Sequence, residues 1–185
     1  MNLQDMINYD KGVSKVIEEL NNKEFERLMG PVDVLQVKKL VPEAKLPTKA
    51  NKAAGFDLYC VEDEEFHLDE DGKKCFTLFP NSQKMFSTGI AIATPEGYYA
   101  QFQGRSGYAT KGIIVLGGVI DEDYRGELKV ILRNTSSKAV RFYLDKAIAQ
   151  FVLLHVPACE VIEVSELDET KRGSNGFGSS DKESK

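Results

Sequence analysis

The sequence predicts an all-β fold, a sandwich or jelly roll. Short strand-like runs follow one another from Val32 to Val164, and turn signals separate them so closely that almost no room is left for helices. At 185 residues, with 42% hydrophobic and 29% charged residues, the chain has enough apolar material for one domain core and a small appendage, and it is neither disordered nor membrane-like in composition.

In chain order, residues 1–31 stand apart as a helical N-terminal extension. Val13, Val16, Ile17 and Leu20 recur at helical spacing, Phe25, Leu28 and Met29 continue after a shift, and Gly30-Pro31 is a stop signal. Such an amphipathic stripe packs on its own or a neighbouring subunit, or docks another protein. From Val32 to Lys38 the pattern alternates like a strand. Further strands are expected at Phe56 to Cys60, Met85 to Ala93, Tyr98 to Phe102, Ile113 to Leu116, Leu128 to Leu132, Val140 to Tyr143, Ile148 to His155 and Val161 to Val164. The turns between them fall at Pro80-Asn81-Ser82, Pro95-Glu96-Gly97, Gly117-Gly118 and Asn134 to Ser137. The acidic runs Glu62 to Glu65 and Asp69 to Asp71 flank a loop and read as a solvated face. The β domain therefore spans 32–165, and 166–185 form a flexible, Gly- and Ser-rich C-terminal arm.

Charge and composition exclude several functions. A net charge of −5 argues against nucleic-acid binding through a basic surface. No apolar stretch is long enough for a membrane helix, and the N-terminus has no signal-peptide pattern. Cys60, Cys75 and Cys159 form no CxxC pair and read as neutral thiols in a reducing cytoplasm. His67 and His155 are too far apart for a metal motif. No Walker-type phosphate loop is present.

Three segments carry candidate chemistry. Gly104-Arg105-Ser106-Gly107 follows a strand and is either an ordinary turn or an anion nest of guanidinium, hydroxyl and main-chain N–H groups. Gly117 to Glu127 is either a charged hairpin tip or a ligand site, with paired glycines followed by a carboxylate, an aromatic ring and a cation. In the arm, Arg172 and the lone aromatic Phe177 lie among glycines. The segment is either a disordered end or a cover that stacks on a flat base while its arginine meets phosphate.

Together these segments resemble the five-motif pattern of the trimeric dUTPase family (deoxyuridine 5'-triphosphate nucleotidohydrolases). The motifs are Ala54 to Tyr59, Gly104 to Ala109, Gly118 to Gly126, Ala149-Gln150 and Arg172 to Ser180, in family order from about Val34 to Ser180. The family usually has proline where Gly104 stands, and an arginine where Ala147 stands, here beside Lys146.

The resemblance implies a jelly-roll-like β-barrel and hydrolysis of dUTP to dUMP and pyrophosphate, which limits uracil entry into DNA and supplies dUMP for thymidylate synthesis. It implies that Asp121 is the general base for water attacking the α-phosphorus. Gly118, Val119 and Ile120 would meet the uracil with backbone groups, Tyr124 would pack on the deoxyribose, and Lys129 would lie near the substrate. Arg105, Ser106, Gly107 and Gln150 would hold the phosphate chain, and Arg172, Phe177, Gly178 and Ser179 would close over it. Mg²⁺ would be bound mainly by phosphates and water, with Asp57 an outer-sphere ligand. A homotrimer with shared sites and a cytoplasmic location follow from the same likeness.

A dCTP deaminase on the same fold would need a catalytic glutamate where this chain has Ile131, which cannot move protons. A regulatory, repressor-binding role would add to catalysis and would use the N-terminal helix or the acidic loop.

Overall fold

The computed structural model describes residues 34–175, so the helical extension expected over 1–31 and the arm residues Phe177, Gly178 and Ser179 lie outside the described residues. Within them the fold is all-β. The strands are β1 (Gln36–Lys39), β2 (Phe56–Leu58), β3 (His67–Leu68), β4 (Lys74–Leu78), β5 (Gln83–Ser87), β6 (Ile90–Ala93), β7 (Tyr98–Gln103), β8 (Ile113–Leu116), β9 (Val119–Ile120), β10 (Lys129–Asn134), β11 (Val140–Tyr143) and β12 (Ala149–His155). One helical turn, α1 (Ser106–Ala109), sits between β7 and β8.

All pairings are antiparallel and fall into four small sheets, ordered β1-β6, β5-β10-β8, β11-β4-β3 and β2-β12-β7-β9. The expected barrel is thus not closed among the described residues. A bend at Gly89 divides one expected strand between two of these sheets. The run from Met85 to Ala93 reads as a single strand, but Gly89 adopts φ +68° and splits it into β5 and β6, which join different sheets. A Cβ at Gly89 would lie 2.7 Å from Val41 Cγ2 and 2.9 Å from Ala44 Cβ, so only glycine allows this bend.

The core lies where the sheets face one another. In β10, Val130 and Leu132 point inward while Lys129 and Arg133 point out, the period of two that sequence alternation anticipates. Phe86, Phe142, Phe151, Leu58, Leu78 and Ile148 complete the interior. Each such side chain contributes about 1.5–3 kcal/mol through burial. A run of aromatic contacts crosses this core: Phe76 to Phe86 (5.3 Å, edge-on), Phe86 to Phe142 (5.4 Å, tilted) and Phe142 to Tyr108 (4.5 Å, stacked). It ends on α1 and so fixes that turn to the interior.

Buried Asn134 ties three segments together. Its Nδ2 donates to Leu78 O (3.0 Å) and Lys138 O (2.8 Å), and its Oδ1 accepts from Ser136 N (2.9 Å) and Ser136 Oγ (2.8 Å). Sequence had marked it only as a turn residue.

Two expectations change. Val161 to Val164 form no strand; Val161 is 95% exposed, because no sheet edge of the same chain reaches it. Conversely, β3 lies between the acidic runs and β4 directly after the second, and β4 pairs with β11 and buries Cys75, Phe76 and Leu78. The acidic residues are exposed but largely paired: Glu62 with Lys74 (2.7 Å), Asp63 and Glu65 with Lys84, and Glu70 with Arg141 (2.7 Å). No helix among the described residues is long and apolar enough to cross a membrane. Cys60 and Cys75 are buried free thiols, whereas Cys159 is exposed. Burial pushes the Cys60 thiol up to about 11.

Candidate active site

The first half of the site forms where β2, β12 and β7 lie side by side. Gln150 pairs with Asp57 on one flank and with Gln103 on the other. The chain leaves β7 at Gln103 and turns directly into α1, which brings Arg105 over the same strand ends. The guanidinium is fixed on three sides: Nε lies 3.1 Å from Asp57 Oδ1, Nη2 donates to Asp57 Oδ2 (3.5 Å), and Nη1 donates to Ala147 O (2.8 Å). Gln150 Nε2 donates to Gly104 O (3.0 Å), which pins the entry to the turn.

Inside the turn, the N–H groups of Tyr108 and Ala109 both bond Arg105 O (3.0 and 2.9 Å). The N–H groups of Ser106 and Gly107 are not used by the turn, and both residues are exposed. Tyr108 anchors the turn by its stacking on Phe142, and burial holds its phenol above the ordinary range against the opposing pull of Arg105.

The second half is the segment from Gly117 to Lys129. Gly117 and Gly118 adopt φ +65° and +105°. Phe102 N donates to Gly118 O (2.8 Å), and a Cβ on Gly118 would lie 2.7 Å from Phe102 Cβ, so the close approach requires glycine. β9 then runs along β7 as the outermost strand of its sheet, with Val119 opposite Gln101 and Ile120 opposite Ala100. An outermost strand carries backbone N–H and C=O groups that no neighbouring strand uses.

Asp121 follows, exposed, its own carbonyl accepting from Tyr124 N (3.1 Å). Tyr124 folds back over Gly126, whose missing side chain makes room for the ring, and its hydroxyl donates to Glu127 O (3.0 Å). Lys129 pairs with Glu127 at 3.6 Å.

The second half touches the first at Gly118, bonded to Phe102, but its register along β7 carries Asp121 away from Arg105. Val119 and Ile120 pair with Gln101 and Ala100, so Asp121 falls at the level of Tyr99. At roughly 3.3 Å per residue that level is about 13 Å down β7 from Gln103, and Arg105 lies beyond the other end. Arg172 is exposed and donates through Nε to Asn175 O (3.0 Å) of its own segment. Of the expected site residues, Asp57, Arg105, Ser106, Gly107 and Gln150 therefore cluster. Gly118, Val119, Ile120, Asp121, Tyr124 and Lys129 form a second group, and Arg172 stands apart.

Sequence reading missed the supports. Ala147 acts through its carbonyl, which no side-chain motif can signal. Gly55 acts by what it lacks, since a Cβ there would run into the Gln150 amide. Glu127 receives Gly89 N (2.9 Å) besides pairing Lys129, and Glu122 receives Gly97 N (3.0 Å). The charge run from Asp121 to Glu127 was the available signal, but it does not say which carboxylates are tied to backbone.

As to a metal, no group of three His, Cys, Asp or Glu converges among the described residues. Asp57 is a partly exposed carboxylate beside the turn. That donor set fits a hard cation that takes most of its ligands from a substrate and water.

Known proteins similar in sequence and structure point to one family. The dUTPase family model matches residues 43–181. The chain is 46% identical over 149 residues to a deoxyuridine 5'-triphosphate nucleotidohydrolase of Hydrogenobaculum, covering 78% of this chain and 96% of that protein. It is 43% identical over 148 residues to the enzyme of that name from Paramecium bursaria Chlorella virus 1, with 78% and 96% covered. Among solved structures, a mutant Staphylococcus bacteriophage 80alpha dUTPase with dUpNHpp superposes with a TM-score of 0.67 at 25% identity, covering 80% of this chain and 98% of that one. With its family match over most of the chain and relatives of this identity across nearly their full length, the protein belongs to the dUTPase family.

Proposed function

We propose that the protein hydrolyses dUTP to dUMP and pyrophosphate. The observation that carries this reading is the division of the site into two chemically distinct faces. One is a cationic turn, Arg105-Ser106-Gly107, braced by Asp57 and Gln150. The other is a glycine-opened edge strand that ends on an exposed carboxylate, Asp121.

The edge strand suits uracil. Gly118, Val119 and Ile120 form the outer edge of the sheet, and the main-chain groups there that β7 does not use serve as donors and acceptors in the manner of a base-pairing partner. Cytosine, with its donor and acceptor pattern changed at the same edge, would leave buried groups unsatisfied. Tyr124, held over Gly126 by its bond to Glu127 O, presents a ring face to the deoxyribose, and a 2'-hydroxyl would have to displace it. Lys129, paired with Glu127, adds a cation to this half of the site.

At the other face the Arg105 guanidinium, the Ser106 hydroxyl, the Gly107 main chain and the Gln150 amide hold the phosphate chain. Asp121, which has no side-chain partner among the described residues, is free to take a proton from the attacking water. Mg²⁺ fits beside Asp57 through water, and when bound it supplies charge neutralisation for the leaving pyrophosphate. On the family likeness, Arg172, with Phe177, Gly178 and Ser179 outside the described residues, would close over the substrate and exclude water.

Because Asp121 and Arg105 lie at opposite ends of β7, one chain does not make a whole site. This supports a homotrimer whose sites take residues from different subunits. The exposed apolar side chains Ile114, Val119, Leu154, Val156, Val161 and Ile162 give such an assembly surface to bury. A cytoplasmic nucleotide pool is the setting that fits the substrate.

The test is pyrophosphate release from dUTP, UTP, dCTP and dTTP with Mg²⁺. Turnover of dUTP alone is expected, and equal kcat/KM for dUTP and UTP would refute the role of Tyr124.

A further inference from the structure

We propose that the phosphate site extends beyond the Arg105 turn into a cationic recess, where Lys111 and Lys146 hold the terminal phosphates that leave as pyrophosphate. The inference rests on the reading of Arg105, Ser106 and Gly107 as phosphate ligands. A cavity of about 310 Å³ is lined by those three residues together with Tyr108, Lys111, Arg141, Tyr143 and Lys146. Two turns of chain distant in sequence thus bring further cations against the first phosphate contact.

The four cations are not equivalent. Arg105 is fixed by Asp57, and Arg141 is taken by Glu70 in a bidentate pair with both distances 2.7 Å. Lys146 has only its sequence neighbour Asp145, at 3.3 Å, with both side chains two-thirds exposed. Such a pair is worth little and exchanges readily for a multiply charged anion. Lys111 has no carboxylate partner among the described residues. Its ammonium lies 5.8 Å from the Tyr108 ring centroid, and that ring is held by Phe142, so the charge is kept over the recess wall. Gly112, next in the chain, accepts both Thr135 N (2.9 Å) and Thr135 Oγ1 (2.8 Å), which fastens the loop carrying Lys111 to the end of β10.

The recess therefore offers Lys111 as an uncommitted cation and Lys146 as a weakly committed one. Triphosphate chemistry needs both: the charge on the terminal phosphates is present in the ground state and grows on the leaving group as the α-phosphorus bond breaks.

The test compares Lys111→Gln, Lys146→Gln, the double variant and Lys111→Arg with the intact chain, in two assays. The first is steady-state hydrolysis of dUTP. The second is competition by inorganic pyrophosphate and by dUMP. Each glutamine variant is expected to raise KM for dUTP about three- to tenfold and the double variant more. Pyrophosphate inhibition should weaken in parallel, dUMP inhibition should stay unchanged, and Lys111→Arg should restore most of the affinity. The recess is not a phosphate site if the double variant is inhibited by pyrophosphate as strongly as the intact chain. The same holds if dUMP affinity falls as much as pyrophosphate affinity, since the loss would then be structural. Failure of the intact chain to turn over dUTP would instead overturn the reading of the Arg105 turn itself, so the two failures are separable.

Discussion

Gly55→Ala is a test of how finely the phosphate face is positioned. Gly55 has an ordinary backbone conformation, so alanine brings no torsional strain there. What it brings is a Cβ in collision with the Gln150 amide, 2.9 Å from Cδ and closer still to Oε1, where ordinary contact begins at 3.4 Å. The amide has to retreat by about 1 Å, which breaks its bond to Gly104 O at the entry to the Arg105 turn. A displacement of that size at a positioning group costs up to about 10²-fold in rate. With Gln150 holding the phosphate chain beside Arg105 and Ser106 as proposed, a loss of about 10- to 10²-fold in kcat/KM is expected. Stability should hardly change. Losing one half-exposed hydrogen bond costs about 0.5–1.5 kcal/mol, and replacing glycine at this bend before β2 returns about 0.4–1 kcal/mol through the unfolded chain. The melting temperature should therefore shift by no more than about 4 °C. The decisive assay is a cycle with Gln150→Ala: once the amide is gone, Gly55→Ala has nothing to displace and should add nothing to the loss. Full additivity, or an unimpaired Gly55→Ala enzyme, would refute the role assigned to this contact.

Asp121→Asn should lower kcat by at least about 10²-fold with dUTP affinity retained, measured by pyrophosphate release and by binding of a non-hydrolysable analogue; near-normal kcat would move the base to Asp123. Truncation after Lys171 should leave the melting temperature and elution volume unchanged, because the described arm residues Arg172 to Asn175 are exposed, while kcat/KM for dUTP falls to near zero; full activity would make the arm an ordinary tail. Glu70 is held below its ordinary value of 4.5, first by its hydrogen bonds to Arg141. Its contribution to stability is therefore present above the ordinary carboxylate range and lost as pH falls through the depressed value. The difference in melting temperature between the intact chain and Glu70→Gln should accordingly vanish on acidification below that range, and a difference independent of pH would refute the ion pair.

What the sequence determined by itself was whatever depends on local pattern. The alternation of Val130, Leu132, Val140 and Phe142 set the strands of the core, and the clustering of Arg105, Ser106 and Gly107 after β7 marked the turn proposed to hold phosphate. The paired Gly117 and Gly118 before Asp121 marked the second segment, and motif order across the chain identified the family. Period-two burial and glycine punctuation are properties of neighbouring residues, so they are legible in one dimension.

Only the tertiary structure decided the rest. It split the run from Met85 to Ala93 at Gly89, because the space there is filled by Val41 and Ala44 from elsewhere in the chain. It built β4 directly after an acidic run that disguised it, and it left Val161 to Val164 without a partner strand among the described residues. It distributed the strands among four sheets rather than a closed barrel. It also made Ala147 a ligand of Arg105 through a backbone carbonyl, a role blind to side-chain identity. Finally it set Asp121 and Arg105 toward opposite ends of β7, since strand register is fixed by which residues pair across sheets, and that pairing is between residues far apart in sequence.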